Sequence, residues 1–172
     1  MSEADSIQHE GLDWPEFIVP WDDISDSVTD MSRFLEKPAG ARGFIQTKNG
    51  RLATGDGRRW RFWGVGMVFS SYFPPIEMAG IVARRLAKYG INCLRFHHLD
   101  HRWPSGILKR YDVGTSGPGM TPPGRYAHPG LAPTRELDPE AMARLDWFVY
   151  CCKQNGIYVD LNLNVTRRFS VG

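Results

Sequence analysis

The chain has 172 residues, enough for one ordinary domain, and its hydrophobic content of 42% and aromatic content of 12% are typical of a folded protein. A formal net charge of +2 is too small to favour a nucleic acid or a membrane surface as a partner. No apolar run approaches the roughly 20 residues that cross a bilayer, and the acidic start Met1–Asp5 is unlike a secretory signal. We therefore expect a cytoplasmic protein.

Cysteine usage agrees with a reducing compartment. The three cysteines, Cys93, Cys151 and Cys152, form neither a disulfide framework nor a zinc pattern. We expect all three to be small buried apolar side chains. We also expect no cofactor.

The first 60 residues predict an extension followed by a hairpin. Residues 1–40 mix acidic and aromatic side chains without a clear period, and we interpret them as an extension over a surface, with a helical turn near 27–35. Residues 41–60 predict a β-hairpin cap, because Asn49-Gly50 separates two alternating runs. Both central residues of a type I′ turn need a positive φ, which asparagine and glycine tolerate.

Residues 61–172 form the third predicted region, in which strands and helices alternate. The predicted elements are a strand at 59–66, a helix opened by Pro74-Pro75 and closed by Gly90, a strand at 91–96, a helix capped by Asp138 and closed by Gly156, and a strand at 157–165. Short joins from helix to strand make the strands parallel, so the fold class is α/β. The buried helical stripes are predicted at Ile76, Ala79, Ala83 and Leu86, and at Met142, Leu145, Val149 and Cys152.

Two strands carry polar side chains where a buried parallel strand should be apolar. Asp160, Asn162 and Asn164 share one face of the third strand, and Arg95 shares a face with His97 in the second. This pattern favours a common enclosed polar space at the carboxyl ends of the strands, like the mouth of a barrel. The alternative is an edge strand that shows its polar face to water.

Arg95 is the strongest single candidate for a functional side chain. A guanidinium at the end of a sheet needs a carboxylate or another fixed acceptor. In a pocket it could hold a nucleophilic carboxylate ionised and oriented. A purely structural buried ion pair is the alternative.

The run His97-His98-Leu99-Asp100-His101 contains three imidazoles and one carboxylate within five residues. One interpretation is a metal-dependent hydrolase, but adjacent side chains on a strand point to opposite faces, so His97 and His98 are poorly placed for one ion. A second interpretation is hydrogen bonding of these side chains to substrate hydroxyls. The third is a structural role alone.

Aromatic side chains offer further candidates. Trp103 lies in a proline- and glycine-rich loop that leaves the carboxyl end of the second strand, and its ring could stack on the apolar face of a sugar. Tyr126 in the same loop is a weaker candidate of this kind. Trp60 and Trp63 are expected to pack in the core or against the hairpin.

Several of these segments resemble the N-terminal part of cellulase-like glycoside hydrolases, the (β/α)8 enzymes of family 5 and its clan. The resemblance covers roughly residues 40 to 170. It rests on the hairpin that feeds a Phe-Trp-Gly strand and on the arginine that follows a Gly-Ile-Asn turn. The segments that carry it are Gly43-Phe44-Ile45, Asn49-Gly50, Arg61-Phe62-Trp63-Gly64-Val65-Gly66, Leu86 to Arg95 and Gly156 to Leu161.

The resemblance implies a TIM barrel, of which the chain would supply the first three strands and two helices after an N-terminal hairpin region. It also implies that Arg95 supports the nucleophile. In the family a histidine near the end of the third strand contacts substrate, whereas Asn162 or Asn164 stands there in this chain. The acid/base and nucleophile glutamates follow the fourth and seventh strands, so no catalytic residue is identifiable among these 172.

We therefore expect part of a retaining glycoside hydrolase for β-linked polysaccharide or oligosaccharide, truncated and inactive alone. The alternatives are a non-catalytic carbohydrate-binding or assembly module and the metal-dependent hydrolase. Expected partners are a carbohydrate and either the missing part of the barrel or a second copy covering the last strand. The residues expected to bind substrate are Arg95, His97, His98, Asp100, Trp103, Asn162 and Asn164.

Overall fold

The structure is a computed structural model that describes residues 20–23, 25–109 and 136–165. These residues form a mixed α/β fold with a two-stranded and a three-stranded sheet. Its elements are β1 (Gln46–Lys48), β2 (Arg51–Ala53), β3 (Gly64–Val68), α1 (Ile76–Lys88), β4 (Cys93–His97), α2 (Pro139–Gln154) and β5 (Tyr158–Leu161). In this part of the chain, neither helix combines the length and apolar character needed to cross a bilayer.

The predicted hairpin is present and has the predicted turn. Strands β1 and β2 pair antiparallel, with Lys48 opposite Arg51. Asn49 and Gly50 have φ values of 52° and 70°, the left-handed conformation that a type I′ turn requires at both positions. The local sequence is therefore sufficient to determine this element.

Local signals also determine where the two helices begin and end. The carboxylate of Asp138 accepts hydrogen bonds of 3.0 Å from the backbone N–H groups of Glu140 and Ala141, which caps α2 as predicted. Gly90 and Gly156 follow the two helices with φ values of 75° and 81°. The turn at each glycine therefore leads directly from a helix into the next strand.

The second sheet has the order β3-β4-β5, and both pairings are parallel. The predicted succession of strand, helix, strand, helix and strand is confirmed. Leu94 and Phe96 on one face of β4 are fully buried, and they join both helices in a single apolar core. The ring of Phe96 lies between those of Tyr72 and Phe148, with centroid distances of 5.1 and 5.8 Å. Both helices therefore cover the same face of the sheet.

Several predicted boundaries and burials are wrong. Strand β3 begins at Gly64 and reaches Val68, beyond the predicted end at Gly66, and β5 ends at Leu161. Ile76 is exposed in the first turn of α1, where the buried stripe consists of alanines, and Trp63 is also largely exposed. The buried stripe of α2 also includes Phe148, while Val149 is only partly buried against the same core, because the helix faces both the sheet and α1.

The described part of the N-terminal extension crosses the carboxyl ends of both helices. The Met31 N–H donates to the Lys88 carbonyl at 3.0 Å, and the Ala39 N–H donates to the Lys153 carbonyl at 2.8 Å. The predicted helical turn is a 3₁₀ turn at Ser32–Phe34. The Lys88 ammonium lies 2.7 Å from the Asp23 carboxylate and holds the pKa of that carboxyl well below its usual range.

We predict that Gly156→Ala lowers the free energy of unfolding by about 2 kcal/mol or more, because an L-residue is disfavoured at a left-handed position. A Cβ atom there would also lie 2.6 Å from the backbone oxygen of Glu36. The matched control is Gly80→Ala inside α1, where a Cβ meets no atom within 4 Å. It should stabilise the protein by about 0.5–1 kcal/mol. Urea denaturation measures both, and equal effects of the two variants would contradict the assignment.

Candidate functional site

The helix-free face of the parallel sheet is the candidate functional site. Register places Gly66, Arg95 and Asp160 side by side on β3, β4 and β5. Successive side chains on a strand point to opposite faces, so these positions lie opposite the buried Leu94 and Phe96. The carboxyl ends of parallel strands are where α/β proteins commonly build binding sites.

Arg95 and Asp160 form the central polar pair of this face. The Arg95 Nε atom lies 3.6 Å from an Asp160 carboxylate oxygen, and the two side chains are 56% and 59% exposed. In the described structure the two side chains are therefore open to solvent, where they form neither the predicted enclosed polar space nor a buried ion pair. An exposed pair of this kind contributes at most about 1 kcal/mol to stability, so both groups can exchange partners with a ligand at little cost.

His97 and Asn162 extend the polar face by one step. The Asn162 amide nitrogen lies 3.0 Å from His97 Nδ1, within hydrogen-bonding distance. The backbone N–H of Asn162 donates to the Phe96 carbonyl at 3.1 Å, so strand pairing continues one residue past β5. Arg95, His97 and Asn162 thus share one face of the sheet, as alternation along the strands predicts.

Tyr72 anchors the end of β4 from the buried side. Its hydroxyl donates to the His97 carbonyl at 2.8 Å, and its side chain is fully buried. Burial raises the pKa of the Tyr72 phenol well above its ordinary value. The hydroxyl therefore stays protonated, and remains a hydrogen-bond donor, at and well above neutral pH.

His98 and His101 lie beyond β4, beside Phe69 at the end of β3. The His98 ring stacks on the Phe69 ring with a centroid distance of 4.6 Å, and the His101 ring meets Phe69 edge-on at 5.3 Å. The ring of His97 is 4.1 Å from that of His98. These rings form an aromatic ledge (Phe69, His97, His98 and His101) at the carboxyl edge of the sheet.

Asp100 fastens the same loop to the chain that follows β5. Its side chain is buried, and a carboxylate oxygen accepts a hydrogen bond of 2.8 Å from the Val165 N–H. The contact joins the ends of two neighbouring strands. Asp100 therefore helps to position the loop after β4.

Among residues 20–23, 25–109 and 136–165, no three histidine, cysteine, aspartate or glutamate side chains are arranged to hold a metal ion. The described histidines pack ring against ring instead. This geometry does not support the metal-dependent hydrolase.

Trp103, a predicted sugar-contact residue, lies apart from the polar face. The Trp103 ring packs against Phe73 with a centroid distance of 5.3 Å. The guanidinium of Arg144, a residue of α2, lies 5.4 Å from the centroid of the same ring. The Trp103 ring therefore lies on the side of the sheet that the helices cover. Asn164 is exposed beyond the end of β5. Tyr126 lies outside the described residues.

The opposite, amino end of the same face is apolar. The rings of Trp60 and Phe62 pack edge-on against Tyr158 at 5.4 and 5.6 Å. Beside them lies an open groove of about 840 Å³ whose lining includes Phe44, Phe62, Tyr158 and Asp160. Aromatic and polar groups therefore occupy the two ends of one surface.

Sequence reasoning missed Phe69, Tyr72 and the role of Asp160. The first two follow a strand that was predicted to end too early, at Gly66 rather than Val68. An aromatic pair directly after a glycine-rich strand was the available signal. Asp160 was recognised as polar, but its position beside Arg95 depends on strand register, which the sequence does not specify.

A scan of protein-family models and searches of curated proteins and solved structures find no match for this chain. The resemblance to family 5 glycoside hydrolases therefore remains a prediction that rests on the residues quoted above.

We predict that Tyr72→Phe lowers the free energy of unfolding by about 1–2 kcal/mol, because the His97 carbonyl loses the donor that the buried Tyr72 side chain supplies. The matched control is Tyr89→Phe, whose exposed hydroxyl contacts Arg85 at 2.8 Å. That variant should change stability by less than about 0.5 kcal/mol. Thermal and urea unfolding measure the difference, and a neutral Tyr72→Phe would contradict the anchoring role.

Proposed function

We propose that the chain supplies substrate-contacting strands of a family 5-like glycoside hydrolase that acts on β-linked polysaccharide or oligosaccharide. We also propose that these strands form part of a (β/α)8 barrel. Two features support the proposal. The parallel sheet consists of two strand–helix–strand units. The face that the helices leave uncovered carries polar side chains toward its carboxyl end. In such a barrel the helices surround the sheet, and the opposite face lines the interior.

The observation that carries the proposal is the shared register of Arg95 and Asp160, continued by His97 and Asn162. A guanidinium, a carboxylate, an imidazole and an amide together provide donors and acceptors for neighbouring hydroxyl groups. Gly66 leaves the space beside Arg95 open, since a Cβ there would meet no atom within 4 Å. A flat polyhydroxylated ring can approach this surface.

The proposed role is substrate contact, not bond cleavage by the isolated chain. Retaining hydrolysis uses two carboxyl groups about 5–5.5 Å apart on either side of the scissile bond. Three of the four described glutamates form ion pairs: Glu36 with Arg42, Glu136 with Lys109 and Glu140 with Arg144. The fourth, Glu77, lies in the first turn of α1. The two catalytic carboxyl groups would come from further strands.

The free edges of the sheet define the protein partner that this proposal requires. In the described part of the chain, β3 and β5 each pair with β4 alone, and Leu161 and Leu163 are exposed near the β5 edge. Unpaired strand edges readily accept another strand. The proposed neighbour of β5 is a further barrel strand or a second copy of the chain.

A non-catalytic carbohydrate-binding module is the second candidate. The apolar groove at the amino end favours it, because the exposed Phe44 and the rings of Phe62 and Tyr158 offer apolar surfaces for sugar stacking. The two candidates differ in where they place a sugar. Strand-tip contact involves Arg95, whereas a binding module would use the groove around Tyr158.

We predict that cellohexaose or mannohexaose binds the chain and shifts the NMR signals of Arg95 and Asn162. Arg95→Ala should weaken binding by about tenfold or more, because a charge-assisted hydrogen bond contributes about 1.5–3 kcal/mol. The control is Arg58→Ala, an exposed arginine of the hairpin region that pairs with Asp56. Equal losses in both variants, or shifts confined to Phe62 and Tyr158, would contradict strand-tip contact.

A separate prediction concerns turnover. The purified 172-residue chain should not hydrolyse an aryl β-glycoside above the rate of a denatured sample, because the described residues contribute no catalytic glutamate pair. Release of the chromophore measures this directly. Turnover that follows the protein through purification would show that the chain is active alone.

A further inference from the structure

His98 occupies a crowded position in the aromatic ledge. Its ring stacks nearly parallel on Phe69, with an interplanar angle of 8°, and meets the rings of His97 and His101 at centroid distances of 4.1 and 5.7 Å. Phe69 follows β3 and His98 follows β4, so the stack joins the ends of two neighbouring strands. It also covers part of the Phe69 ring.

Both residues of this stacked pair have an unusual backbone conformation. Phe69 and His98 have φ values of 53° and 68°, the left-handed region that side chains other than glycine seldom adopt. Histidine and asparagine tolerate this region better than phenylalanine does. The surrounding contacts must therefore hold the Phe69 conformation, and the His98 ring is the contact that lies flat against it.

Charge on His98 is poorly accommodated. Its Nδ1 atom is buried and has no hydrogen-bond partner among the described residues. Protonation would place an N–H donor at that atom, beside two further imidazoles. Burial is the largest cause that lowers the pKa of His98, followed by His97 and His101, while Asp100 opposes them. Phe69, on the β3 side, brings no charge.

We propose that the stack of His98 on Phe69 is a pH-sensitive latch, closed when His98 is neutral and released when it is protonated. Release would loosen the chain directly after β4, next to the 2.9 Å hydrogen bond from the Ile107 N–H to the Leu99 carbonyl. It would also uncover Phe69 at the edge of the polar face. This latch does not depend on the identity of the ligand.

The direction of the pH effect follows from the lowered pKa. A base whose pKa is lower in the folded state binds protons more readily when unfolded. The latch therefore contributes full stability above the ordinary histidine pKa of 6.5, and the contribution is lost as the pH falls through the lower folded value. Acidification below pH 6.5 should loosen the chain directly after β4 before the rest of the protein unfolds.

Imidazole ¹⁵N NMR titration of the full chain tests the proposal, with single His→Gln variants assigning the five histidine signals. His98 should titrate below 6.5, and the Phe69 ring signals should move in the same pH interval. Hydrogen exchange at the Ile107 amide should accelerate over that interval. The proposal would be contradicted by a His98 titration midpoint at or above 6.5, or by Phe69 ring signals that do not shift as His98 titrates.

The matched variants are His98→Asn, which keeps a residue suited to positive φ but cannot be protonated, and His101→Gln, which removes one neighbouring imidazole. With His98→Asn, the urea midpoint should fall less steeply with pH than in the wild type. With His101→Gln, the midpoint of His98 titration should rise. Identical pH slopes in wild type and His98→Asn, or an unchanged His98 midpoint in His101→Gln, would each contradict the proposal.

Discussion

The parallel pairing of β4 between β3 and β5 is the constraint on which the rest of the structure depends. Alternation along β4 buries Leu94 and Phe96 against the helices and turns Arg95 and His97 to the other face. Burial of two large apolar side chains contributes roughly 3–6 kcal/mol, far more than an exposed ion pair. The hydrophobic core therefore sets the register, and the polar face follows from it.

The same register organises the strand ends. Tyr72 can reach the His97 carbonyl because its ring stacks on Phe96 in the core. The Asp100 carboxylate reaches the Val165 amide because β4 and β5 end side by side. The stack of His98 on Phe69 likewise requires β3 and β4 in their present alignment. A one-residue slip of β4 would exchange its two faces and dismantle all three contacts.

Local signals in the sequence were sufficient for the Asn49-Gly50 turn, the Asp138 cap and the glycines that end the helices, because each depends on a few adjacent residues. The grouping of Arg95, His97 and Asn162 was also predictable, since polar positions alternate along both strands. The extent of β3, the exposure of Arg95 and the location of Trp103 depend on contacts distant in sequence. The alternation of polar residues alone therefore predicts an enclosed pocket, whereas the polar face of the sheet is open to solvent in the described structure.

The most direct test of this two-faced sheet is NMR relaxation in the presence of a soluble paramagnetic gadolinium chelate. We expect strong relaxation of the Arg95 side-chain N–H and the Asn162 amide group, and protection of the Leu94 methyl groups and Phe96 ring. Saturating cellohexaose should then reduce the paramagnetic relaxation of Arg95 and Asn162 and leave that of Leu94 and Phe96 unchanged. Protected Arg95 and Asn162 in the free protein, or a relaxed Leu94 and Phe96, would contradict the account.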